Sequence, residues 1–347
     1  MDSALTLAKR ANDVLNQNPL VANIDITTAA SDWLWAVFAV MLVSAIGLFG
    51  LSFTRPMGER AFHELAAAIC FTASIAYFAM ASDLGATAVQ VEYVRSGTLG
   101  QNWVDVGVQN PTRSIWYARY IDWTITTPLL LLELAFTTGL PLSQIFILIF
   151  FDIVMIITGL IGALVQSVYK WGFFAFGCAA LVVIWYMLLV PGRASAARLG
   201  SDFSKTYLTS TVILSTLWLL YPIAWGVADG GNLITPTSEM IFYGILDLFA
   251  KPVYCFIHVI SVSRLDYARL GFTSGKYSDG ANQGLLNEKN GAYSAAATPR
   301  ASMAPSPHGA AQPAWVPGTT PATNANNSST APANSDFHHT NHVVESA

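Results

Sequence analysis

Seven ionisable residues stand within or at the edge of long apolar stretches: Arg119, Asp122 and Glu133 in one, Asp152 in the next, and Glu239, Asp247 and Lys251 in the last. Ionisable groups in such surroundings are costly to keep and by default mark a functional site. Arg119 precedes Asp122 by three residues and Thr126 follows it by four, so on a helix all three share a face. Glu133 lies eleven residues beyond Asp122. Eleven steps of about 100° return to nearly the same face, about 16 Å further along the axis. Two carboxylates on one stripe, with leucines between them, suit a stepwise relay of protons better than structural packing. Lys251 follows Asp247 by four residues, which puts ammonium and carboxylate one turn apart on one face. Glu239 is eight residues before Asp247, a rise of about 12 Å along the axis. With LDLFA before it and PVYCFIHVI after it, Lys251 is too far from a span end to snorkel to an interface. Lysines desolvated in this way are also the ones that form Schiff bases.

These groups need a membrane bundle to hold them. Of the 347 residues, 53% are apolar and only 11% are charged, where a soluble globular protein carries about 25%. Mean hydropathy is +0.47. Together these values exclude a disordered chain, a fibrous protein and an ordinary cytosolic enzyme. The net charge of −4, with no basic cluster, argues against a nucleic-acid partner. A helix needs roughly 20 mostly apolar residues to cross the hydrocarbon core, and seven stretches qualify: 31–54, 62–84, 114–137, 142–166, 171–191, 206–228 and 237–262. The expected fold class is an all-α membrane protein, a seven-transmembrane-helix bundle with the N-terminus extracellular and the C-terminus cytoplasmic. Its expected organisation is a polar, uncleaved extracellular extension over 1–30, the bundle over 31–265, and a low-complexity cytoplasmic tail over 266–347, mostly disordered.

Orientation rests on the basic residues. Arg55, Arg60, Arg193, Arg198, Lys205, Arg264, Arg269 and Lys276 fall on one side, and Lys9, Arg10, Arg95, Arg113 and Lys170 on the other. The richer side is assigned to the cytosol. Cys70, Cys178 and Cys255 lie in apolar runs without metal-ligand spacing and are read as buried small hydrophobes. His338, His339 and His342 are read as part of a solvated tail, and no metal site is expected.

The aromatic residues extend the pattern. Trp218, Tyr221, Pro222 and Trp225 form WxxYPxxW, three large rings on one side of a helix that the proline can kink. With an intramembrane lysine in the chain, and Trp123, Tyr77, Phe173 and Phe174 in other spans, they read as the wall of a slot for a long apolar cofactor.

WYARYIDWTITTPLLLLEL (116–134), WLLYPIAW (218–225) and LDLFAK (246–251) resemble the third, sixth and seventh helix signatures of microbial (type 1) rhodopsins. The resemblance covers roughly residues 31–265 and is nearest to fungal opsins of the light-driven proton-pump kind. It implies all-trans retinal bound covalently as a protonated Schiff base at Lys251. It further implies Asp122 and Asp247 as counterions with Arg119 beside them, Thr126 hydrogen-bonded to Asp122, and Tyr77 and Tyr221 bracing Asp247. Trp123, Trp218 and Trp225 would clamp the chromophore with Met155 and Gly159; Thr127, Pro222, Phe174 and Asp152 complete the implied pocket. Glu133 stands at the place of the cytoplasmic proton donor and Glu239 at that of one extracellular release carboxylate.

The implied function is a light-driven outward proton pump, an ion transporter and not an enzyme, in the plasma membrane. A sensory rhodopsin signalling through a partner is the alternative, although no transducer is identifiable in the sequence. The expected partners are the lipid bilayer and protons, with homo-oligomerisation left open. Four departures stand out. Glu replaces Asp at the donor position, and Phe173 and Phe174 replace tryptophans. Cys70 is near the place of an absent proline. The second release carboxylate does not align, since Gly230 falls at its place and Asp229 just before it.

Overall fold

The computed structural model describes residues 12–19, 22–92 and 111–270. The chain divides into two units, Met1–Tyr293 and Ser294–Ala347, and every described residue belongs to the first. The expected tail from 271 onwards, with its three histidines, therefore lies outside the described residues, as do Lys9, Arg10, Arg95 and Lys276.

Six of the helical stretches are long and apolar enough to cross a membrane: α1 (Thr28–Ser52), α2 (Ala61–Ala81), α4 (Leu142–Leu164), α5 (Lys170–Leu199), α6 (Ser201–Gly230) and α7 (Pro236–Val262). Between α2 and α4 runs α3 (Tyr117–Phe136), which carries Arg119, Asp122 and Glu133. A two-stranded antiparallel hairpin, β1 (Thr87–Gln90) and β2 (Thr112–Ile115), joins α2 to α3 and pairs Val89 with Arg113. Each expected stretch coincides with one of these helices to within a few residues, except where a helix is longer: α5 continues to Leu199 and α6 begins at Ser201.

The apolar residues are arranged inside out. Val43, Ile46, Phe146 and Phe176 are exposed, whereas Arg119, Asp122, Glu133, Asp152, Asp247 and Lys251 are all buried. Water does not favour that arrangement, but lipid does, because it takes the apolar surface and leaves polar groups to find partners inside the bundle.

Local chemistry explains the irregular points. Thr235 caps α7, its hydroxyl oxygen accepting from the Ser238 amide at 3.1 Å, and Pro236 occupies the first turn where its missing N–H costs nothing. Three five-residue π-turns interrupt the long helices: Leu188–Gly192, Gly226–Gly230 and Phe249–Val253. Pro191 and Pro252 sit inside two of them, where a missing donor is absorbed by the wider turn. Lys251 is thus carried on a π-turn. Entry into the hairpin needs Gly85, whose φ is +82° and whose added Cβ would come within 2.6 Å of the Ala118 Cβ.

Candidate functional site

At the centre of the bundle the Lys251 Nζ donates to Asp122 Oδ2 at 2.6 Å and lies 3.1 Å from Asp247 Oδ1. All three side chains are 2% exposed or less. Three features position them. Helical periodicity sets Lys251 one turn from Asp247 on α7, while packing of α3 supplies Asp122 from 129 residues away. Two phenols then fix Asp247: Tyr77 on α2 donates to Oδ2 and Tyr221 on α6 to Oδ1, each at 2.7 Å. One buried ammonium between two carboxylates leaves a net negative centre, and the phenol donors offset its desolvation.

The Thr126 hydroxyl donates to the main-chain carbonyl of Asp122 at 2.9 Å, the acceptor that a helical threonine reaches four residues back. Thr127 does the same to Trp123, and its hydroxyl also lies 2.8 Å from Asp152 Oδ2, joining α3 to α4.

A cavity begins at Lys251 and runs between α3, α4, α5 and α6. Its lining includes Trp123, Thr127, Met155, Gly159, Phe174, Trp218, Tyr221, Pro222 and Trp225, with Asp247 and Lys251 at one end. Trp225 stacks on Phe174 at 4.9 Å between centroids, and its indole N–H donates to the Gly159 carbonyl at 3.2 Å. Of the expected pocket residues, Tyr77 and Asp152 do not line this cavity. They act at one remove, on Asp247 and Thr127. Phe173 is not a wall residue either. Cys178, expected to be buried, is half-exposed and lines the wall, whereas Cys70 and Cys255 are buried; all three thiols are free.

Glu133 lies three turns along α3 from Asp122, fully buried, and neither of its carboxyl oxygens has a hydrogen-bond partner among the described residues. Leu130, Leu131 and Leu134 are buried around it. At the other end of α3, Arg119 Nη1 meets Glu239 Oε1 at 2.6 Å, and its guanidinium lies 4.0 Å from the centroid of the Tyr243 ring. Arg113 takes the second oxygen of Glu239 at 2.7 Å.

Three members of this end were missed by sequence reasoning. Arg113 and Lys170, counted as loop charges, are 1% and 2% exposed. Asp229, read as out of register, is also buried, and Tyr120 donates to its Oδ2 at 2.8 Å. Asp229 is carried on the π-turn Gly226–Gly230 at the end of α6. Nearby, Asp25 accepts from the Ser114 hydroxyl at 2.6 Å and from the Ile26 amide at 2.8 Å. Burial nevertheless holds its carboxyl above the ordinary carboxylate range. Among the described residues, no cluster of three or more His, Cys, Asp or Glu could hold a metal ion.

Fold and site together define a helical membrane protein built around a buried amine–dicarboxylate centre that opens onto an aromatic cavity. Residues 28–265 match the bacteriorhodopsin-like protein family, and the chain belongs to it. It is 49% identical over 268 residues to Protein FDD123 of Trametes versicolor, covering 77% of this chain and 90% of that one. Identity to the opsin-like protein carO of Fusarium fujikuroi is 50% over 270 residues, covering 76% and 85%. Among solved structures, the light-driven proton pump of Coccomyxa subellipsoidea is similar with a TM-score of 0.63 and 34% identity, covering 69% of this chain and 99% of that one.

Family membership implies a retinal chromophore. The residues present fit one: a long apolar cavity ends at a primary amine, and Asp122 Oδ1 there is buried without a partner among the described residues.

Proposed function

We propose that this protein is a light-driven outward proton pump, with all-trans retinal joined to Lys251 Nζ, and that α3 also spans the membrane, as the third helix of a seven-span bundle whose N-terminus is extracellular. The observation that supports this most strongly is the distribution of carboxyl groups along α3. Asp122 is in contact with Lys251, and Glu133 is buried three turns away on the same helix.

Bound there, retinal would supply light absorption and a light-driven change of shape. The chain's residues do the rest. Asp122 Oδ2, 2.6 Å from Nζ, is the acceptor. Asp247 is held by Tyr77, Tyr221 and Lys251 at once, so it remains the fixed counter-charge. Glu133 holds a proton in dry surroundings and returns it to the Lys251 nitrogen from the opposite side. Arg119, paired with Glu239, links the neighbourhood of Asp122 to the outer end. Because acceptor and donor flank the nitrogen, each cycle moves a proton one way. The buried leucines between Asp122 and Glu133 keep the two sides from short-circuiting.

The test is expression of the full chain with all-trans retinal in intact cells. A visible band that is lost in Lys251→Ala is expected, together with light-driven acidification of the medium that a protonophore abolishes. Asp122→Asn should keep the band and lose the acidification. Undiminished pumping by Asp122→Asn would refute the scheme, and colour without any pH change would favour the sensory reading.

A further inference from the structure

The scheme above leaves Arg113 without a task. This residue comes from a strand, not a helix, and its backbone is held twice: opposite Val89 in the hairpin and by a parallel bridge to Ile24 of the N-terminal segment. Its Nη1 donates to the Ile234 carbonyl at 2.9 Å and to Asn232 Oδ1 at 3.3 Å, and its Nη2 to Glu239 Oε2 at 2.7 Å. Arg119 occupies Oε1 at 2.6 Å. One fully buried carboxylate is therefore shared by two guanidiniums, with one on each oxygen.

Asp229, the other carboxylate at this end, has different surroundings. Tyr120 donates to its Oδ2, its Oδ1 has no hydrogen-bond partner among the described residues, and the Lys170 ammonium donates to its main-chain oxygen at 3.3 Å. The charged and titratable groups facing the two carboxylates are Arg113 from β2, Arg119 and Tyr120 from α3, Lys170 from α5 and Tyr243 from α7.

We propose that Arg113 is a positioning residue of the proton exit, which fixes Glu239 as a permanent anion and so leaves Asp229 as the group that holds a proton in the resting protein. A protonated Glu239 would have to turn an O–H towards one of two guanidiniums that have only donors to offer. Asp229 faces no such conflict, since its free Oδ1 can carry the proton while Oδ2 accepts from Tyr120. The N-terminal segment and the hairpin thereby acquire a task, because they hold the second guanidinium in place.

The inference rests on the pump reading for its importance, but its test is read in the dark. Infrared spectra of the retinal-reconstituted full chain, taken without illumination during a pH titration, report carbonyl stretches of protonated carboxylic acids. Loss of one such band in Asp229→Asn, with the same band retained in Glu239→Gln, is expected. Arg113→Gln should create a new band, absent from the Arg113→Gln/Glu239→Gln double variant, and Arg113→Lys should restore the wild-type spectrum. A resting-state band that vanishes in Glu239→Gln and survives in Asp229→Asn would overturn the proposal. So would an Arg113→Gln spectrum identical to wild type. Should Arg113→Gln fail to fold, the Asp229→Asn and Glu239→Gln pair still decides. Absence of pumping by the wild type would count against the function and leave this assignment standing.

Discussion

Replacing Tyr77 or Tyr221 by Phe removes one hydroxyl from Asp247 and keeps the ring that packs around it. Each phenol donates to a separate carboxylate oxygen at 2.7 Å. A hydrogen bond to a charged group contributes about 1.5–3 kcal/mol, against about 0.5–1.5 kcal/mol between neutral groups. The two positions are not equivalent. Asp247 Oδ1 also has Lys251 at 3.1 Å, so Tyr221→Phe leaves that oxygen with a partner. Among the described residues Tyr77 alone donates to Oδ2, at 2.7 Å, so Tyr77→Phe strands a buried charge and belongs at the upper end of the range.

With about 2–4 °C per kcal/mol for a domain of this size, the melting temperature is expected to fall by roughly 6–12 °C in Tyr77→Phe and roughly 3–6 °C in Tyr221→Phe. The assay is a thermal shift of the purified opsin in one detergent, repeated in an Asp247→Asn background. There the partner is neutral, and each loss should shrink to about half. Equal losses with and without the Asp247 charge would refute the charge-assisted brace. A larger effect from Tyr221→Phe than from Tyr77→Phe would refute the division of labour between the two oxygens.

Glu133→Gln removes the buried carboxyl on α3, and recovery of the resting state after a flash should slow by about 100-fold, the order typical of a lost general acid. Added azide should restore the rate, and an unchanged decay would disprove the donor role. In Gly162→Ala the new Cβ would lie 3.1 Å from Trp225 Cζ2, 3.2 Å from the Lys170 carbonyl oxygen and 3.3 Å from Phe173 Cβ. The strain should cost about 1–3 kcal/mol and shift the visible band through Trp225, as thermal melts and absorption spectra would report. Burial raises the Asp25 carboxyl, so the folded protein binds that proton more tightly than the unfolded chain. Stability from this group is therefore present at acid pH and declines as pH rises from the ordinary carboxylate range through the raised value. Asp25→Asn should flatten that part of a melting-temperature profile, and an unaltered profile would contradict the assignment.

What the sequence by itself determined were the local relations. Lipid demands long apolar stretches, so the helices were legible from composition, and any charge within them stood out. Helical periodicity then gave Asp247 beside Lys251, and Arg119 and Asp122 on the side that carries Glu133, because contacts one turn apart follow from the helix alone. WxxYPxxW was legible as a wall for the same reason, and Trp218, Tyr221 and Trp225 do line the cavity.

The tertiary structure decided which distant groups meet. Arg113 and Glu239 are 126 residues apart and Tyr120 and Asp229 are 109 apart, separations to which no periodicity applies. Spacing along one helix is set by covalent geometry, but contact between helices is set by packing, and only the folded bundle could show which cation holds which carboxylate.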